Sequence, residues 1–159
     1  MILTVSLLIL TGCTANSLDD NAEGKESVIL TQEEQKEEGK ETVTMKMKIG
    51  TTSVDVVWEE NEAVDALKEI VKENTMVIQM SMYGGFEQVG SLGFSIPRND
   101  MQTVTEAGDI VLYSGNQIVV FYGSNSWSYT RLGKINGKSR EELEQLLGQR
   151  DVEIIISME

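Results

Sequence analysis

The side chains best suited to bind a ligand are aromatic residues and arginines that concentrate in residues 83–98 and around the loop 123–129. Beside glycine-rich loops, such side chains are typical anchors for a peptide or a small molecule. The alternative is that they fill the core, which we expect for Tyr113, Phe121 and Tyr122. We predict a ligand-binding site that draws on Tyr83, Phe86, Glu87, Phe94, Arg98, Trp127, Tyr129 and Arg131.

Several kinds of chemistry are excluded by what the composition lacks. The 159 residues contain no histidine, which removes Ser-His-Asp and Cys-His catalysis and histidine-ligated metal sites. The single cysteine, Cys13, excludes a disulfide within the chain. A net charge of −13 argues against a nucleic-acid partner, because phosphate binding requires a cationic surface. We predict no catalytic residue, no metal site and no cofactor.

Two clusters admit a metal-binding interpretation beside a structural one. Methionine recurs at alternating positions in residues 45–47 and 76–82, and thioethers can hold copper(I). Alternation is also what the buried face of a strand requires, so we favour core packing. Glutamates at 59, 60 and 62 precede a helical pattern, where carboxylates interact favourably with a helix N-terminus.

The N-terminus combines a short apolar run with a cysteine. Residues 2–10 are too few to span a bilayer as a helix, which takes roughly 20 residues, but they suit a secretory signal. The next residues, Leu10-Thr11-Gly12-Cys13, resemble the lipobox of bacterial lipoproteins, although no basic residue precedes the run. The resemblance implies removal of residues 1–12, lipidation of Cys13 and anchoring at the extracytoplasmic face of the cell membrane. The alternative is a buried N-terminal strand with an inert Cys13.

Residues 13–42 form an acidic stretch with nine carboxylates and three lysines. Such a segment cannot bury enough apolar surface to offset the entropy of ordering it. We predict a disordered linker that separates the membrane anchor from a folded domain over residues 43–159.

Residues 43–159 alternate between the period of strands and the period of helices. Helical spacing begins after Asn61 and again after Ser139, where Ser139 and Glu142 have capping-box spacing. Both faces of the predicted hairpin over 110–122 are apolar, which favours a closed barrel or a covered sheet. The sequence therefore predicts a mainly β domain with two helices, with strands near 44–49, 54–58, 76–82, 110–113, 118–122, 127–135 and 152–156.

The order of these elements, with the stretches 107–113, 119–123 and 129–135, resembles the cyclophilin fold. The resemblance is closest to bacterial cyclophilin-like proteins and implies an eight-stranded closed β-barrel with two capping helices. In active cyclophilins, the arginine of a Phe-His-Arg stretch contacts the prolyl amide nitrogen and lowers the barrier to rotation. The corresponding residues here are Phe86-Glu87-Gln88, and a carboxylate cannot donate to that nitrogen.

These observations predict a membrane-anchored, extracytoplasmic cyclophilin-like binding module for a peptide or small ligand, without catalysis. The first alternative is a divergent peptidyl-prolyl cis-trans isomerase that uses Arg98 or Arg131. The second is an accessory domain of a redox system, because related barrels occur fused to flavodoxin-like domains.

Overall fold

The computed structural model describes residues 43–159. The predicted signal peptide, residues 1–12, and the linker, residues 13–42 with Cys13, lie outside the described residues and remain predictions. Within residues 43–159, neither helix combines the length and the apolar character needed to cross a membrane.

Nine strands and two helices make up the described domain. The helices are α1 (Glu62–Glu73) and α2 (Arg140–Leu147). The strands are β1 (Met45–Ile49), β2 (Thr52–Trp58), β3 (Met76–Tyr83), β4 (Glu87–Ser91), β5 (Met101–Val104), β6 (Asp109–Tyr113), β7 (Gln117–Phe121), β8 (Ser126–Asn136) and β9 (Glu153–Met158).

Eight of the strands form a closed antiparallel barrel. Their order is β2-β1-β9-β3-β4-β7-β6-β8, and pairing of β2 with β8 closes the ring. The predicted mainly β, closed barrel with two helices is therefore confirmed. The sequence analysis missed two strands: β4, which lies in the ring between β3 and β7, and β5, which adds to β8 as a ninth strand outside the ring.

Strand β8 changes partner along one edge, and this change is what allows closure. Its first part pairs with β5 and its last part with β2, while β6 pairs along the other edge. A bulge sits at the transition, since Ile110 pairs with Gly133 but Val111 pairs with Arg131. Bulges bend a strand and increase its twist. Gly133 lets the closing strands meet, because a Cβ there would lie 2.7 Å from the carbonyl oxygen of Val57.

The two helices pack their apolar faces on the core inside the barrel. The side chain of Asn61 accepts a hydrogen bond from the amide of Val64 at 3.0 Å and so caps α1. Ser139 and Glu142 form the predicted capping box at the start of α2. The buried side chains Leu67 of α1 and Leu143 of α2 belong to the main core.

Four of the alternating methionines lie in this core, at positions 45, 47, 76 and 80. Met82 does not, since it is 42 % exposed, so the core interpretation is wrong at that position. The last three residues of β3 are all exposed, where the strand approaches its turn at Gly84 and Gly85. Glu62 lies in the first turn of α1. No cluster of three His, Cys, Asp or Glu within residues 43–159 is arranged to hold a metal ion.

A smaller apolar cluster lies on the outer face of the barrel. It consists of Val111, Val119, Phe121 and Tyr129, with Phe86 and Val89 packed against it. Neighbours in sequence, such as Ile110, Leu112 and Ile118, point to the inner core instead. Strands β6 and β7 are thus apolar on both faces because each face packs against its own cluster.

Candidate functional site

A cleft of about 350 Å³ opens on the outer face of the barrel, over the smaller apolar cluster. Residues from β3, β4, β6, β7 and β8 contribute to it, together with the loop before β8. We call it the aromatic cleft, and it is lined by Tyr83, Glu87, Val89, Tyr113, Gln117, Val119, Asn125, Trp127 and Tyr129.

Strand alternation determines which side chains reach the aromatic cleft. Successive side chains of a strand point to opposite faces, so residues two apart share a face. Glu87 and Val89 therefore project outward from β4, as Trp127 and Tyr129 do from β8. The antiparallel register places Glu87 opposite Phe121 of the outer cluster. The carboxyl group consequently lies among aromatic side chains.

Two of the four aromatic rings that line the cleft, those of Tyr113 and Tyr129, are oriented by contacts with other side chains. The Tyr129 ring lies 6.1 Å from that of Tyr113 and 5.8 Å from that of Phe121, with interplanar angles of 66° and 69°. These are edge-to-face geometries, which aromatic pairs prefer. The Nδ2 of Asn125 donates to the Tyr129 hydroxyl at 3.0 Å, and the amide of Asn125 donates to Thr105 Oγ1 at 2.9 Å. The side of the cleft formed by Tyr113, Asn125 and Tyr129 is thus held in place by contacts within the protein.

Glu87 is the only acidic residue among the described residues that line the aromatic cleft. Its side chain is buried, with 6 % exposure, and its Oε2 has no hydrogen-bond partner in the described chain. Removal from water disfavours the charged form, and this burial raises the pKa of Glu87 from 4.5 to about 7. No lysine or arginine of residues 43–159 lines the cleft to offset the charge. Near neutral pH the carboxyl is therefore divided between its ionised and protonated forms.

Phe86 supports the cleft from the turn between β3 and β4. Its carbonyl oxygen accepts hydrogen bonds of 2.9 Å from the amides of Tyr122 and Gly123. The ring lies against Gly84, where a Cβ would stand 2.6 Å from its Cζ. Gly84 also has a φ of +62°, a conformation that glycine adopts readily. The turn sequence thus positions Phe86 against the outer cluster.

Gln88 occupies the position that matched the cyclophilin arginine in the sequence comparison, and it points away from the cleft. Its Nε2 donates to the carbonyl oxygens of Leu147 at 2.6 Å and Arg150 at 2.7 Å. The amide therefore ties β4 to the end of α2. It offers no donor to a ligand in the aromatic cleft.

A second concavity of about 940 Å³ lies along the edge of β8 where its partner changes from β5 to β2. We call it the edge groove, and both Arg98 and Arg131 line it. Arg98 lies 3.5 Å from Asp100, and Arg131 lies 3.5 Å from the buried Asp109. The backbone carbonyl oxygen of Arg131 on this edge also has a partner, because it accepts a hydrogen bond from Asn61 Nδ2 at 2.9 Å.

The residues predicted as one site are divided by the structure. Four lie together in the aromatic cleft (83, 87, 127 and 129), and Phe86 packs beside them. Arg98 and Arg131 lie in the edge groove, which Tyr129 also borders. Phe94 lies in the segment between β4 and β5 and lines neither concavity.

The sequence analysis missed five residues of the cleft, namely Val89, Tyr113, Gln117, Val119 and Asn125. The expectation of a core position is wrong for Tyr113, which is 37 % exposed. Tyr113 is the last residue of β6, on the same face as the outward Val111. The alternation along β6 could have predicted that Tyr113 points outward, because residues two apart in a strand share a face. Core positions for Phe121 and Tyr122 are confirmed.

The comparisons with known proteins define the class. The cyclophilin-like family matches the chain over residues 47–159, which is most of its length and nearly all of the described domain. The chain belongs to the cyclophilin-like family, as the resemblance in its sequence predicted. No curated protein and no solved structure matched the chain.

Proposed function

We propose that this cyclophilin-like domain is a binding module that holds a peptide or small molecule in the aromatic cleft without transforming it. The observation that carries the proposal is the unpartnered Glu87 carboxyl in a cleft of ordered aromatic rings. Buried polar atoms without partners are rare in folded proteins, and each one calls for an explanation. A ligand that completes the coordination of Glu87 supplies that explanation.

The absence of suitable catalytic neighbours supports binding over catalysis. A carboxyl with a pKa near 7 suits a general acid or base. However, the described lining of the cleft contains no serine, threonine, cysteine or lysine to act as a nucleophile. The arginine on which prolyl isomerisation by the resembling enzymes depends also has no counterpart in the cleft, since Gln88 points away from it.

The proposed location rests on the sequence. The lipobox-like Leu10-Thr11-Gly12-Cys13 supports attachment to the extracytoplasmic face of the membrane through lipidated Cys13, with residues 13–42 as a spacer. Cells that express the full chain and are fed radiolabelled palmitate test this part of the proposal. We expect label on the wild type and none on Cys13→Ser, and an unlabelled wild type would contradict the anchor.

The binding role is tested with the full chain and a set of proline-containing peptides. We expect at least one peptide or small molecule of a screened set to shift the NMR signal of the Trp127 indole N–H. Exchange spectroscopy should show no faster cis-trans isomerisation of the peptides. The assignment of the indole signal is checked with Trp127→Phe, because Trp58 is the second tryptophan.

A clear acceleration that disappears in Arg98→Ala or Arg131→Ala would replace the binding role with the divergent isomerase. Flavin retained through purification would favour the accessory role in a redox system. An absence of any shift at Trp127 across the screen would contradict a ligand site in the aromatic cleft.

A further inference from the structure

The lining of the aromatic cleft combines one carboxyl group with four aromatic side chains. Glu87 contributes the carboxyl, and Tyr83, Tyr113, Trp127 and Tyr129 contribute the rings. An aromatic face carries partial negative charge, so it attracts a cation placed within about 6 Å of its centre. The carboxylate attracts the same kind of ligand. Both features of the lining therefore favour positive charge.

The rest of the domain strengthens this preference. The chain carries a net charge of −13, and about −7 of it belongs to residues 43–159. The arginines near the cleft are already paired in the edge groove, Arg98 with Asp100 and Arg131 with Asp109. Within the described lining, the charge of Glu87 is thus not balanced by the protein itself.

We propose that the ligand of the aromatic cleft carries an alkylated ammonium group, which lies against the rings of Tyr113, Trp127 and Tyr129 and neutralises the carboxylate of Glu87. This inference rests on the proposed function, because it specifies the ligand class of the same site.

The lining favours an alkylated ammonium over a primary one. A primary ammonium has three N–H donors, and each needs an acceptor when it leaves water. Besides Glu87, the acceptors of the described lining are the uncharged side-chain oxygens of Gln117, Asn125 and the tyrosines, and Asn125 Oδ1 already accepts from the amide of Ser126 at 2.8 Å. Methyl groups on the nitrogen instead make contact with the rings. The volume of about 350 Å³ lies at the low end for ligand sites, which suits a small molecule or one side chain.

The proposal requires binding to depend on the ionisation of Glu87. The titratable groups that face or lie near this carboxyl are Tyr83, Tyr113, Tyr122 and Tyr129, with Glu144 acting on Tyr122. Phenols titrate near pH 10 in water, and burial raises the pKa of Tyr122 and Tyr129 further. Of these cleft groups, Glu87 is therefore the one that changes charge between pH 6 and pH 8. A permanent cation should bind about tenfold more weakly at pH 6 than at pH 8.

The experiment uses the full chain and two probes of the same shape, choline and its uncharged carbon isostere, dimethylbutanol. Binding is followed by the Trp127 indole signal at pH 6 and pH 8. We expect choline to bind at least about tenfold more tightly than the isostere at pH 8, because one cation contact with a ring or carboxylate is worth that factor. Glu87→Gln should weaken choline binding about tenfold by the same signal. Trp127→Ala should weaken it about tenfold in calorimetric titration, which is needed because that variant lacks the Trp127 indole. Glu73→Gln, an exposed carboxylate of α1 outside the cleft, is the matched control.

Equal binding of the two probes, or choline binding that does not weaken at pH 6, would overturn the cation inference. A lack of choline binding at millimolar concentration would do the same. In each of these cases the binding role stands if the peptide and small-molecule screen still shifts Trp127. Failure of both experiments would overturn the site itself.

Discussion

The aromatic cleft and the edge groove are adjoining concavities that share Tyr129, and they differ in how their charges are satisfied. The edge groove is the larger, at about 940 Å³ against 350 Å³. Its arginines have carboxylate partners, and the backbone carbonyl oxygen of Arg131 on the edge of β8 accepts a hydrogen bond from Asn61. The aromatic cleft holds a single carboxyl whose Oε2 has no partner in the described chain.

The difference shows that size is a poor guide to function in this domain. A groove whose arginines are already paired gains little from an anionic ligand that must displace those partners. A buried carboxyl without a partner costs stability in the free protein, and a complementary ligand recovers that cost. The smaller concavity therefore has more binding free energy available.

The largest expected effect concerns the stability cost of Glu87. Its pKa is raised from 4.5 to about 7, so the folded protein binds more protons than the unfolded chain between these values. Stability from this group is complete below pH 4.5 and is lost as the pH rises through 7, by about 3 kcal/mol. Denaturant unfolding of wild type and Glu87→Gln at pH 4.5 and pH 8 measures this loss of unfolding free energy. We expect the variant to gain about 3 kcal/mol relative to wild type over this interval.

The amide of the variant does not titrate, so its own burial cost cancels in this difference. Glu73→Gln controls for the removal of a carboxylate from the surface. If the difference in unfolding free energy between wild type and Glu87→Gln is the same at pH 4.5 and pH 8, the carboxyl is not held in a desolvated site.

The second effect concerns the turn that supports the cleft. Gly84→Ala places a Cβ against Phe86 and forces alanine into a left-handed conformation, for an expected loss of about 2 kcal/mol. Gly85→Ala is the matched control, because it has a φ of +76° but no atom within 4 Å of its Cβ. Urea unfolding should therefore show a larger loss for Gly84→Ala. Equal losses would mean that Phe86 moves freely and does not brace the cleft.

A smaller effect is expected in the edge groove. Arg131→Ala removes one partner of Asp109, but Lys134 remains 3.6 Å from the same carboxylate. The Arg131 side chain is 42 % exposed and Lys134 still faces the buried carboxylate, so we expect a loss of about 1 kcal/mol or less in thermal unfolding. Binding in the aromatic cleft should be unchanged. A loss of cleft binding in Arg131→Ala would mean that the two concavities act as one site.

The smallest effect on stability, with a clear effect on binding, is expected for Trp127. Its side chain is 58 % exposed, so Trp127→Ala should change the free energy of unfolding by about 0.5 kcal/mol or less. Val104→Ala is its counterpart in the edge groove, where Val104 is 67 % exposed. Calorimetric titration with a cleft ligand should show weaker binding for Trp127→Ala alone. Similar losses in both variants would place the ligand across the two concavities.

Much of the architecture was predictable from local patterns. Alternating apolar residues marked most strands, and Asn61 and Ser139 marked where the helices begin. Strands β4 and β5 escaped prediction. The buried residues of β4 are Glu87, Gln88 and Gly90, so it has no apolar alternation, and the short, mostly exposed β5 has no buried face. The division of the predicted site was also unpredictable, since Arg98 and Tyr83 are close in sequence but line different concavities.

The sequence alone determined that histidine and disulfide chemistry are absent, that residues 43–159 form a mainly β domain, and that the family's arginine is replaced at 86–88. These conclusions depend only on residue types and their spacing. The tertiary structure decided that Glu87, and not Gln88, faces the aromatic cleft, and that Tyr113 joins it from a different strand. The reason is that pairing of strands distant in sequence brings these side chains together, and that burial sets the protonation of Glu87.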